Sequence, residues 1–274
     1  TTEIVSRTII KRPADSHKGN YGRIMLIGGN QNFGGAIIMA ATAATYSGAG
    51  LVTVATDPSN FTSLHARLPE AMVIDYHQTD TLLNLLAGMD VIVIGPGLGT
   101  DTVADQLLTA VLAATHVPQR LVIDGSALTL LAQQARPFPA TDIVVTPHQM
   151  EWQRLSGIAI KDQTPTANHD AQQRLGVTAV VKAHRTTVYT DERVWFNPGG
   201  TPAMATGGMG DTLAGMIGGF VSQFHNFTDA VLSAVYLHSA IADDLAATRY
   251  VVLPHQISAR IPTYMHRFSQ IERP

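Results

Sequence analysis

The sequence predicts an α/β protein in which helices cover both faces of a mainly parallel sheet. Short apolar runs rich in β-branched residues alternate along the chain with longer segments of helical character, which is the pattern of βα units. Several of these runs, such as VIVI at 91–94, are apolar without alternation, as expected of strands buried on both faces. Loops rich in glycine or charge follow several of the runs. In an open α/β sheet such loops lie at the edge where ligands bind.

Seven apolar runs are predicted to be parallel strands. In chain order they are residues 23–27, 51–55, 72–75, 91–94, 121–124, 143–146 and 179–182. Residues 187–196 interrupt the βα rhythm, because TVYT and RVWF flank Asp191-Glu192. This pattern predicts an antiparallel hairpin after the last parallel strand.

Eight longer segments are predicted to be helices. In chain order they are residues 36–46, 81–87, 102–114, 127–134, 151–155, 167–175, 211–223 and 229–247. The sequence contains no repeat, no low-complexity tract and no linker. We therefore expect residues 1–274 to form a single domain.

The composition describes a soluble globular chain with ample length for a large core: 274 residues, 45% hydrophobic and 14% charged, with a net charge of -3. The acidic balance and the lack of a Lys/Arg cluster argue against nucleic acid as a principal partner. Cysteine is absent, which excludes disulfides and thiol chemistry. The N-terminal TTEIVSRTIIKRP lacks a signal-peptide core, and no run reaches transmembrane length. We therefore expect no membrane partner and a cytoplasmic location.

The segment 197–220 carries the strongest chemical signal. It places Asp211 directly behind Gly207, Gly208 and Gly210, at the start of an apolar helix. Glycines allow a tight turn in which backbone N–H groups converge on an anion, and the helix N-terminus adds partial positive charge. The segment therefore predicts a phosphate cradle beside a carboxylate. In the structural alternative, Asp211 only compensates the helix dipole.

Two further glycine loops follow predicted strands. Residues 28–30 and 34–36 could bring backbone close to a ligand, although glycine at a βα turn is also common for steric reasons. Residues 95–99, GPGLG, form a stiff loop that could present N–H groups to a phosphate, with Thr100 or Asp101 capping the next helix. This loop lacks the Lys-Ser/Thr of a Walker loop and the spacing of a dinucleotide fingerprint. Neither a P-loop ATPase nor a Rossmann dehydrogenase is indicated.

Three polar loops complete the predicted edge. Asp124 ends a strand, where it could orient a ligand or a metal-bound water, with a helix N-cap at Ser126 as the structural alternative. His148 and Glu151 lie near the beginning of a helix, where the first could be a structural hydrogen-bonder and the second could favour the helix dipole. The last loop predicts phosphate recognition, with a solvated basic turn as the alternative. Its residues are Lys182, Ala183, His184, Arg185 and Thr186.

Taken together, these loops resemble the NAD(P)H-hydrate dehydratases, a branch of the ribokinase-like superfamily. The resemblance spans nearly the whole chain and rests on five segments: HKGNYG at 17–22, SGAGLV at 47–52, GPGLG at 95–99, TPH at 146–148, and residues 197–215. The glycine-Asp motif marks the wider kinase superfamily, and its combination with the other segments points to the dehydratase branch. The resemblance implies a ribokinase-like three-layer α/β/α sandwich around a mainly parallel sheet.

The sequence departs from the usual family pattern at several positions. Met209 replaces the Thr expected between the glycines and Asp211, and Ala183 replaces the Gly expected after Lys182. Residues 125–126 are Gly-Ser where Ala-Asp is frequent, and residues 149–150 are Gln-Met where Pro-Gly is usual. Loss of the Thr hydroxyl removes one phosphate hydrogen bond and leaves the backbone donors unaffected. We therefore expect an altered rate and retained activity.

The resemblance implies repair of hydrated nicotinamide cofactor. Family members transfer a phosphoryl group from a nucleotide to the C6 hydroxyl of hydrated NADH or NADPH and then eliminate phosphate, and prokaryotic members typically convert ADP to AMP and phosphate. Mg²⁺ on the nucleotide oxygens is expected, although the sequence indicates no ligand set for it. A homo-oligomer, with a tetramer as the plausible state, is a family-level expectation.

The resemblance also implies roles for individual residues. Asp211 would be the general base, and the N–H groups around Gly207, Gly208 and Gly210 would stabilise the transferred phosphoryl group. Positions around the hydrated cofactor are Ile37, Gly97, Gly99, His148 and Asp211. Nucleotide-binding positions are Lys182, Ala183, His184, Arg185, Thr186, Gly207, Gly208 and Gly210. Two other classes stay open: a ribokinase-like small-molecule kinase that uses ATP, and a non-catalytic nucleotide-binding module.

Overall fold

A nine-stranded sheet forms the centre of the structure, a computed structural model that describes residues 2–134 and 136–271. The strands, in chain order, are β1 (Arg23–Ile27), β2 (Leu51–Thr56), β3 (Met72–Asp75), β4 (Val91–Ile94), β5 (Arg120–Ile123), β6 (Asp142–Val145), β7 (Thr178–Val181), β8 (Thr187–Tyr189) and β9 (Val194–Phe196). Their spatial order is β3-β2-β1-β4-β5-β6-β7-β8-β9. The first seven pair in parallel, and the β7–β8 and β8–β9 pairs are antiparallel.

The register of the sheet places all the parallel strand ends at one edge. Ile24 of β1 lies beside Val52 of β2 on one side and Val91 of β4 on the other. The strand order reverses between β1 and β4, and loops at such a switch point form the ligand-binding crevice of open α/β sheets. This edge is called the C-terminal edge below, and the opposite one the N-terminal edge.

The helices between and after the strands vary from seven to 20 residues. In chain order they are α1 (Thr2–Thr8), α2 (Gly34–Tyr46), α3 (Phe61–Arg67), α4 (Thr79–Leu86), α5 (Thr102–Ala114), α6 (Ser126–Gln133), α7 (Gln149–Ser156), α8 (Pro165–Leu175), α9 (Met209–Val221), α10 (Phe227–Ala246) and α11 (Pro254–Ser269). Within the described part of the chain, none of them combines the length and apolar character needed to cross a membrane.

Helices cover both faces of the sheet, so the molecule has three layers. Side chains of β1 alternate between two apolar cores: Ile24 and Leu26 pack with α2, α9 and α10, whereas Met25 and Ile27 pack with α4, α5 and α6. Such strands are apolar on both faces. The apolar runs without alternation in the sequence arise because both faces of the sheet are covered by helices.

The contact between α2 and α9 is unusually close. All residues of α9 from 212 to 221 are buried. A Cβ on Gly215 would collide with the backbone carbonyl of Ala40 in α2, and one on Gly219 would come within 2.7 Å of Ser47 Cβ. Glycine at these positions lets the two helix backbones approach each other. The N-terminal turn of α9 is thereby fixed to the core.

Two of the segments that carry the family resemblance pack against each other at the N-terminal edge. The Gly50 N–H lies 3.0 Å from the Tyr21 carbonyl oxygen and 3.1 Å from that of Gly22. A Cβ on Gly50 would collide with the Lys18 carbonyl oxygen, which explains the glycine there. Segments 17–22 and 47–52 therefore pack against each other at the edge of the sheet opposite to the strand ends that carry Asp124 and Lys182.

The predicted strands and the hairpin are confirmed to within one residue, and the predicted helices to within two. Helices α1, α3 and α11 were not predicted. Of these, α11 is 16 residues long but contains Pro262, which lacks the N–H for an intrahelical hydrogen bond and normally signals a break. α1 and α3 each span only seven residues, too few to give a clear helical period.

Candidate active site

Four charged side chains meet at the C-terminal edge of the sheet. Asp124 directly follows β5, Lys182 directly follows β7, Glu151 lies in the first turn of α7, and Asp211 lies in the first turn of α9. Each carboxylate interacts electrostatically with Lys182. Charges are rarely buried unless they are paired or functional, so this cluster is the candidate active site.

Asp124 and Lys182 form a direct ion pair within the cluster. The Lys182 Nζ lies 2.8 Å from Asp124 Oδ1, and the same oxygen accepts a 2.6 Å hydrogen bond from the Thr146 hydroxyl. The Asp124 side chain is 3% exposed, and that of Lys182 is 22% exposed. Although burial lowers the pKa of Lys182, the neighbouring Asp124 and Glu151 carboxylates outweigh it and hold that pKa above its usual value. Lys182 is therefore a cation.

Asp211 occupies the turn that the glycines create. Gly208 is the N-cap of α9 with φ 93°, a left-handed conformation that favours glycine. Burial, and secondarily the Asp124 charge, raise the pKa of Asp211 to about 6, while Lys182 acts in the opposite direction. A carboxylate with a pKa so close to neutral suits general base catalysis.

The first turn of α9 is also a candidate anion site. The first N–H groups of a helix have no intrahelical acceptor, and the helix dipole attracts negative charge to them. A Cβ on Gly210 would lie 3.0 Å from Lys182 Nζ, so the ammonium sits directly against this turn. Lys182 and the helix start together place a cation and backbone N–H donors beside the Asp211 carboxylate.

His148 and Glu151 form a reciprocal cap at the start of α7. His148 Nδ1 accepts from the backbone N–H groups of Met150 and Glu151, both at 3.2 Å, and Glu151 Oε2 accepts from the His148 N–H at 2.8 Å. The His148 side chain is 53% exposed. Burial raises the pKa of Glu151 in spite of Lys182. The structural roles considered for both residues are thus present, and the His148 Nε2 also lies 3.5 Å from Glu151 Oε1.

A cavity of about 360 Å³ opens beside Lys182 and the start of α9. Five of the predicted nucleotide-binding residues line it: Lys182, Ala183, His184, Thr186 and Gly210. The other three, Arg185, Gly207 and Gly208, are not among its lining residues. Its remaining wall comes from the 199–205 segment and from α9 and α10, including Met209 and Leu213.

One residue of this cavity gave no signal in the sequence. His238 of α10 is 5% exposed, and its Nε2 has no hydrogen-bond partner in the described residues. Burial, and secondarily the Lys182 charge, lower the pKa of His238 to about 4, so the ring is neutral. A histidine inside a long apolar helix is usually structural, and only the fold reveals that it faces the cavity.

The glycine loops after β1 and β4 pack closely against each other. Ile37 is fully buried, and its Cγ2 occupies the space where a Cβ on Gly29 would lie. Gly97 has φ 62°, and a Cβ there would collide with the Phe33 carbonyl oxygen. Ile37 and Gly97 thus shape this wall through packing. Phe33 is 60% exposed beside Gly97.

Two predicted caps near these loops have different outcomes. Asp101 caps α5, with Oδ1 accepting from the Ala104 N–H at 2.9 Å, as one of the two alternatives predicted. Ser126 is not the N-cap of α6, because that position is Gly125. The Ser126 hydroxyl instead accepts from the Gly99 N–H at 3.1 Å. It ties the loop after β4 to the start of α6.

Comparison with known proteins gives a consistent result. The sequence model of the NAD(P)H-hydrate dehydratase family matches residues 24–263. The chain is 99% identical over its whole length to the ADP-dependent (S)-NAD(P)H-hydrate dehydratase of Lactiplantibacillus plantarum, of which it covers 99%.

Two solved structures have the same fold. A ribokinase-like superfamily protein from Enterococcus faecalis superposes with a TM-score of 0.97 at 51% identity, covering 99% of this chain and 96% of that one. The ADP/ATP-dependent NAD(P)H-hydrate dehydratase of Bacillus subtilis, co-crystallised with ATP and Mg²⁺, gives a TM-score of 0.87 at 30% identity, with coverage of 98% and 97%.

Proposed function

The chain belongs to the NAD(P)H-hydrate dehydratase family, and from this premise we propose that the buried charge cluster carries out its phosphoryl-transfer chemistry. The function is ADP-dependent repair: the enzyme is a lyase that returns hydrated NADH or NADPH to the reduced cofactor. The observation that carries the residue-level proposal is the position of Asp211, at the start of α9 and beside the Lys182 ammonium.

The reaction makes a poor leaving group into a good one. The C6 hydroxyl of the hydrate attacks the terminal phosphorus of ADP, the bond from that phosphorus to the bridging oxygen breaks, and AMP leaves. The C6–O bond then breaks with phosphate departing, assisted by the lone pair of the ring nitrogen, and loss of the C5 proton restores the C5–C6 double bond. Asp211 accepts the hydroxyl proton in the first step.

The same residues explain how the first step, the phosphoryl transfer, is accelerated. At neutral pH most Asp211 is ionised, because its pKa is raised only to about 6. The N–H groups of the α9 first turn and the Lys182 ammonium stabilise charge on the transferred phosphoryl group. Five of the predicted nucleotide-binding residues line the cavity beside Lys182, which supports binding of the rest of the nucleotide there. The family resemblance assigns His148, Gly97 and Gly99 to the hydrated ring.

Mg²⁺ enters this site with the nucleotide. Among the residues that the structure describes, no group of three His, Cys, Asp or Glu side chains is arranged to hold a metal ion. When bound, the ion neutralises phosphate charge.

The test follows the near-ultraviolet absorbance of reduced nicotinamide after adding the protein and Mg²⁺ to hydrated NADH or NADPH. We expect recovery of the band with ADP and none without nucleotide, and a parallel reaction with ATP ranks the two donors. A stable phosphorylated product would identify a kinase of the same superfamily and contradict the dehydratase. Binding of nucleotide without turnover would identify a binding module.

We also propose that the chain forms a homo-oligomer in the cytoplasm, with a tetramer as the expected state. Large apolar side chains that a second copy could cover support the first point: Tyr250 is 95% exposed and Phe196 is 63% exposed. Light scattering coupled to size exclusion should give a multiple of the 29.3 kDa chain mass. A single-chain mass would contradict the proposal.

A further inference from the structure

Asp124 has no part in the chemistry described so far, yet it is one of the most buried charges of the molecule. It is 2% exposed, and a buried carboxylate is strongly unfavourable unless partners compensate it. Its partners come from the ends of the next two strands in the sheet. Asp124, Thr146 and Lys182 each directly follow the last residue of β5, β6 and β7 respectively. These strands are adjacent in the sheet, so the three side chains stand side by side along its edge.

The two contacts of Asp124 converge on one oxygen atom. Oδ1 accepts from the Thr146 hydroxyl at 2.6 Å and from Lys182 Nζ at 2.8 Å. The backbone of this row is also fixed, because the Lys182 N–H donates to the Pro147 carbonyl at 2.8 Å and the Asp124 N–H donates to the Ile94 carbonyl at 3.0 Å. The carboxylate therefore has one orientation, and the ammonium that binds it has one location.

That location is the start of α9. Lysine carries its charge on a flexible four-carbon stem, so an unanchored ammonium would sample many positions. With the anchor, Nζ lies where a Cβ on Gly210 would be 3.0 Å away. The free donors of the ammonium are thus held beside the N–H groups of the first turn. Phosphoryl transfer depends on such fixed positive groups, because displacements of about 1 Å can lower rates by about a hundredfold.

We propose that Asp124 is a positioning residue for phosphoryl transfer, which holds the Lys182 ammonium against the first turn of α9 by a hydrogen bond that the Thr146 hydroxyl orients. This inference rests on the proposed function, since it assigns the transferred phosphoryl group to that turn. Asp124 is 2% exposed and does not line the cavity beside Lys182, so it acts through Lys182.

The Asp124 charge has a second effect, on the base. Three charged groups face Asp211: Asp124 and Glu151 act to raise its pKa, and Lys182 acts to lower it. Neutralising Asp124 removes one like charge and leaves the Lys182 charge uncompensated. Both changes favour ionised Asp211, so its pKa falls. The acid limb of the activity profile should then move to lower pH.

The experiment compares Asp124→Asn, which removes the charge, with Thr146→Val, which removes the hydroxyl and keeps the charge. For Asp124→Asn we expect kcat to fall about tenfold or more, the KM for ADP to rise, and the acid limb to move down by about one pH unit. For Thr146→Val we expect a smaller loss of kcat and an unmoved acid limb. Asp142→Asn is the matched control, because that carboxylate is 57% exposed at the start of β6 and pairs with Arg120.

A buried role in stability alone would give a different pattern. Asp124→Asn would then lower the unfolding temperature and leave the acid limb and the KM for ADP at their wild-type values, which would overturn the proposal. If Asp124→Asn fails to fold, the double variant Lys182→Met with Asp124→Asn replaces it, since it removes both charges of the ion pair. Because Asp124 acts through Lys182, the second change should lower kcat less than twofold beyond Lys182→Met alone. If the kcat losses of the two single variants instead multiply in the double variant, the proposal is overturned.

Two readouts separate this inference from the proposed function. Calorimetry of ADP binding and a carbon NMR titration of the Asp211 carboxyl need no turnover. In Asp124→Asn we expect weaker ADP binding and a lower Asp211 pKa even if hydrated cofactor is not repaired, in which case only the proposed function fails. Unchanged ADP affinity and an unchanged titration in a variant of an active enzyme would overturn the role of Asp124 alone.

Discussion

The two edges of the central sheet look similar in sequence and differ in physical character. Both carry glycine-rich loops, and the N-terminal edge has the larger cavity, about 1100 Å³ against 360 Å³ at the C-terminal edge. At the N-terminal edge, however, the charges are exposed or internally satisfied. Arg12 stacks on the Tyr21 ring at 3.6 Å and donates to the Gly48 carbonyl, and Arg7 pairs with Asp229.

At the C-terminal edge, charges are buried or half-buried, and the carboxylates outnumber the cations that compensate them. The charged groups that shift the pKa of Asp211 are two carboxylates, Asp124 and Glu151, and one cation, the Lys182 ammonium. The glycines also serve different ends: Gly50 allows two backbones to touch, whereas Gly210 leaves room for a cation. The excess of carboxylates over cations therefore distinguishes the candidate active-site edge from the other edge. Cavity size and glycine content do not distinguish them.

The largest difference between the edges should appear when a first-turn aspartate is neutralised at each. Asp211→Asn at the start of α9 should lower kcat by about two orders of magnitude or more while hydrated cofactor still binds, as for loss of a positioned base. Asp229→Asn, in the first turn of α10 at the other edge, should leave kcat unchanged. Steady-state kinetics and cofactor binding measure both. Turnover near wild type in Asp211→Asn would remove it as the base.

A cation replaced at each edge should give the next largest contrast. Lys182→Met should weaken ADP binding about ten- to a hundredfold and hydrated-cofactor binding much less, because its charge faces phosphate. It should also lower the free energy of unfolding by about 3–5 kcal/mol, since Asp124 loses its buried partner. Lys18→Met in the exposed N-terminal-edge loop is the control. Calorimetry should resolve the split, and equal losses for both ligands would contradict it.

The pH dependence should show the charge imbalance directly. The raised pKa of Asp211, about 6, means that its ionised form is lost as pH falls through that value. We expect kcat/KM to fall about tenfold between about pH 7 and pH 5 through this group, whereas a carboxyl of ordinary pKa would stay ionised. The residual activity of Asp211→Asn should lack this limb. A wild-type profile that is flat over this range would show that no such base operates.

The smallest effect should come from removing the stack of Arg12 on Tyr21 at the N-terminal edge. Arg12→Ala removes the stack on Tyr21 and the hydrogen bond to Gly48, which together should lower the free energy of unfolding by about 1 kcal/mol. The kinetic constants should stay within about twofold, as for a surface change far from the chemistry. Denaturant unfolding and steady-state assays test this. A large kinetic loss would mean that the two edges are coupled.

The sequence predicted those parts of the structure that depend on neighbours along the chain. The apolar runs predicted the strands because both faces of the sheet are covered, and the glycine-Asp segment predicted the start of α9 because all its parts lie within a few residues. The pairing of Asp124 with Lys182 joins positions 58 residues apart and depends on the order of β5, β6 and β7. Burial of His238 beside the cavity likewise follows from helix packing that no local pattern encodes.

The close contact between α2 and α9 has a consequence for how this protein can evolve. Because Gly215 of α9 rests on the backbone of Ala40, the turn that carries Asp211 inherits the rigidity of the interior. Substitutions that loosen the interior would displace the reactive carboxylate as well, so stability and turnover are selected together here.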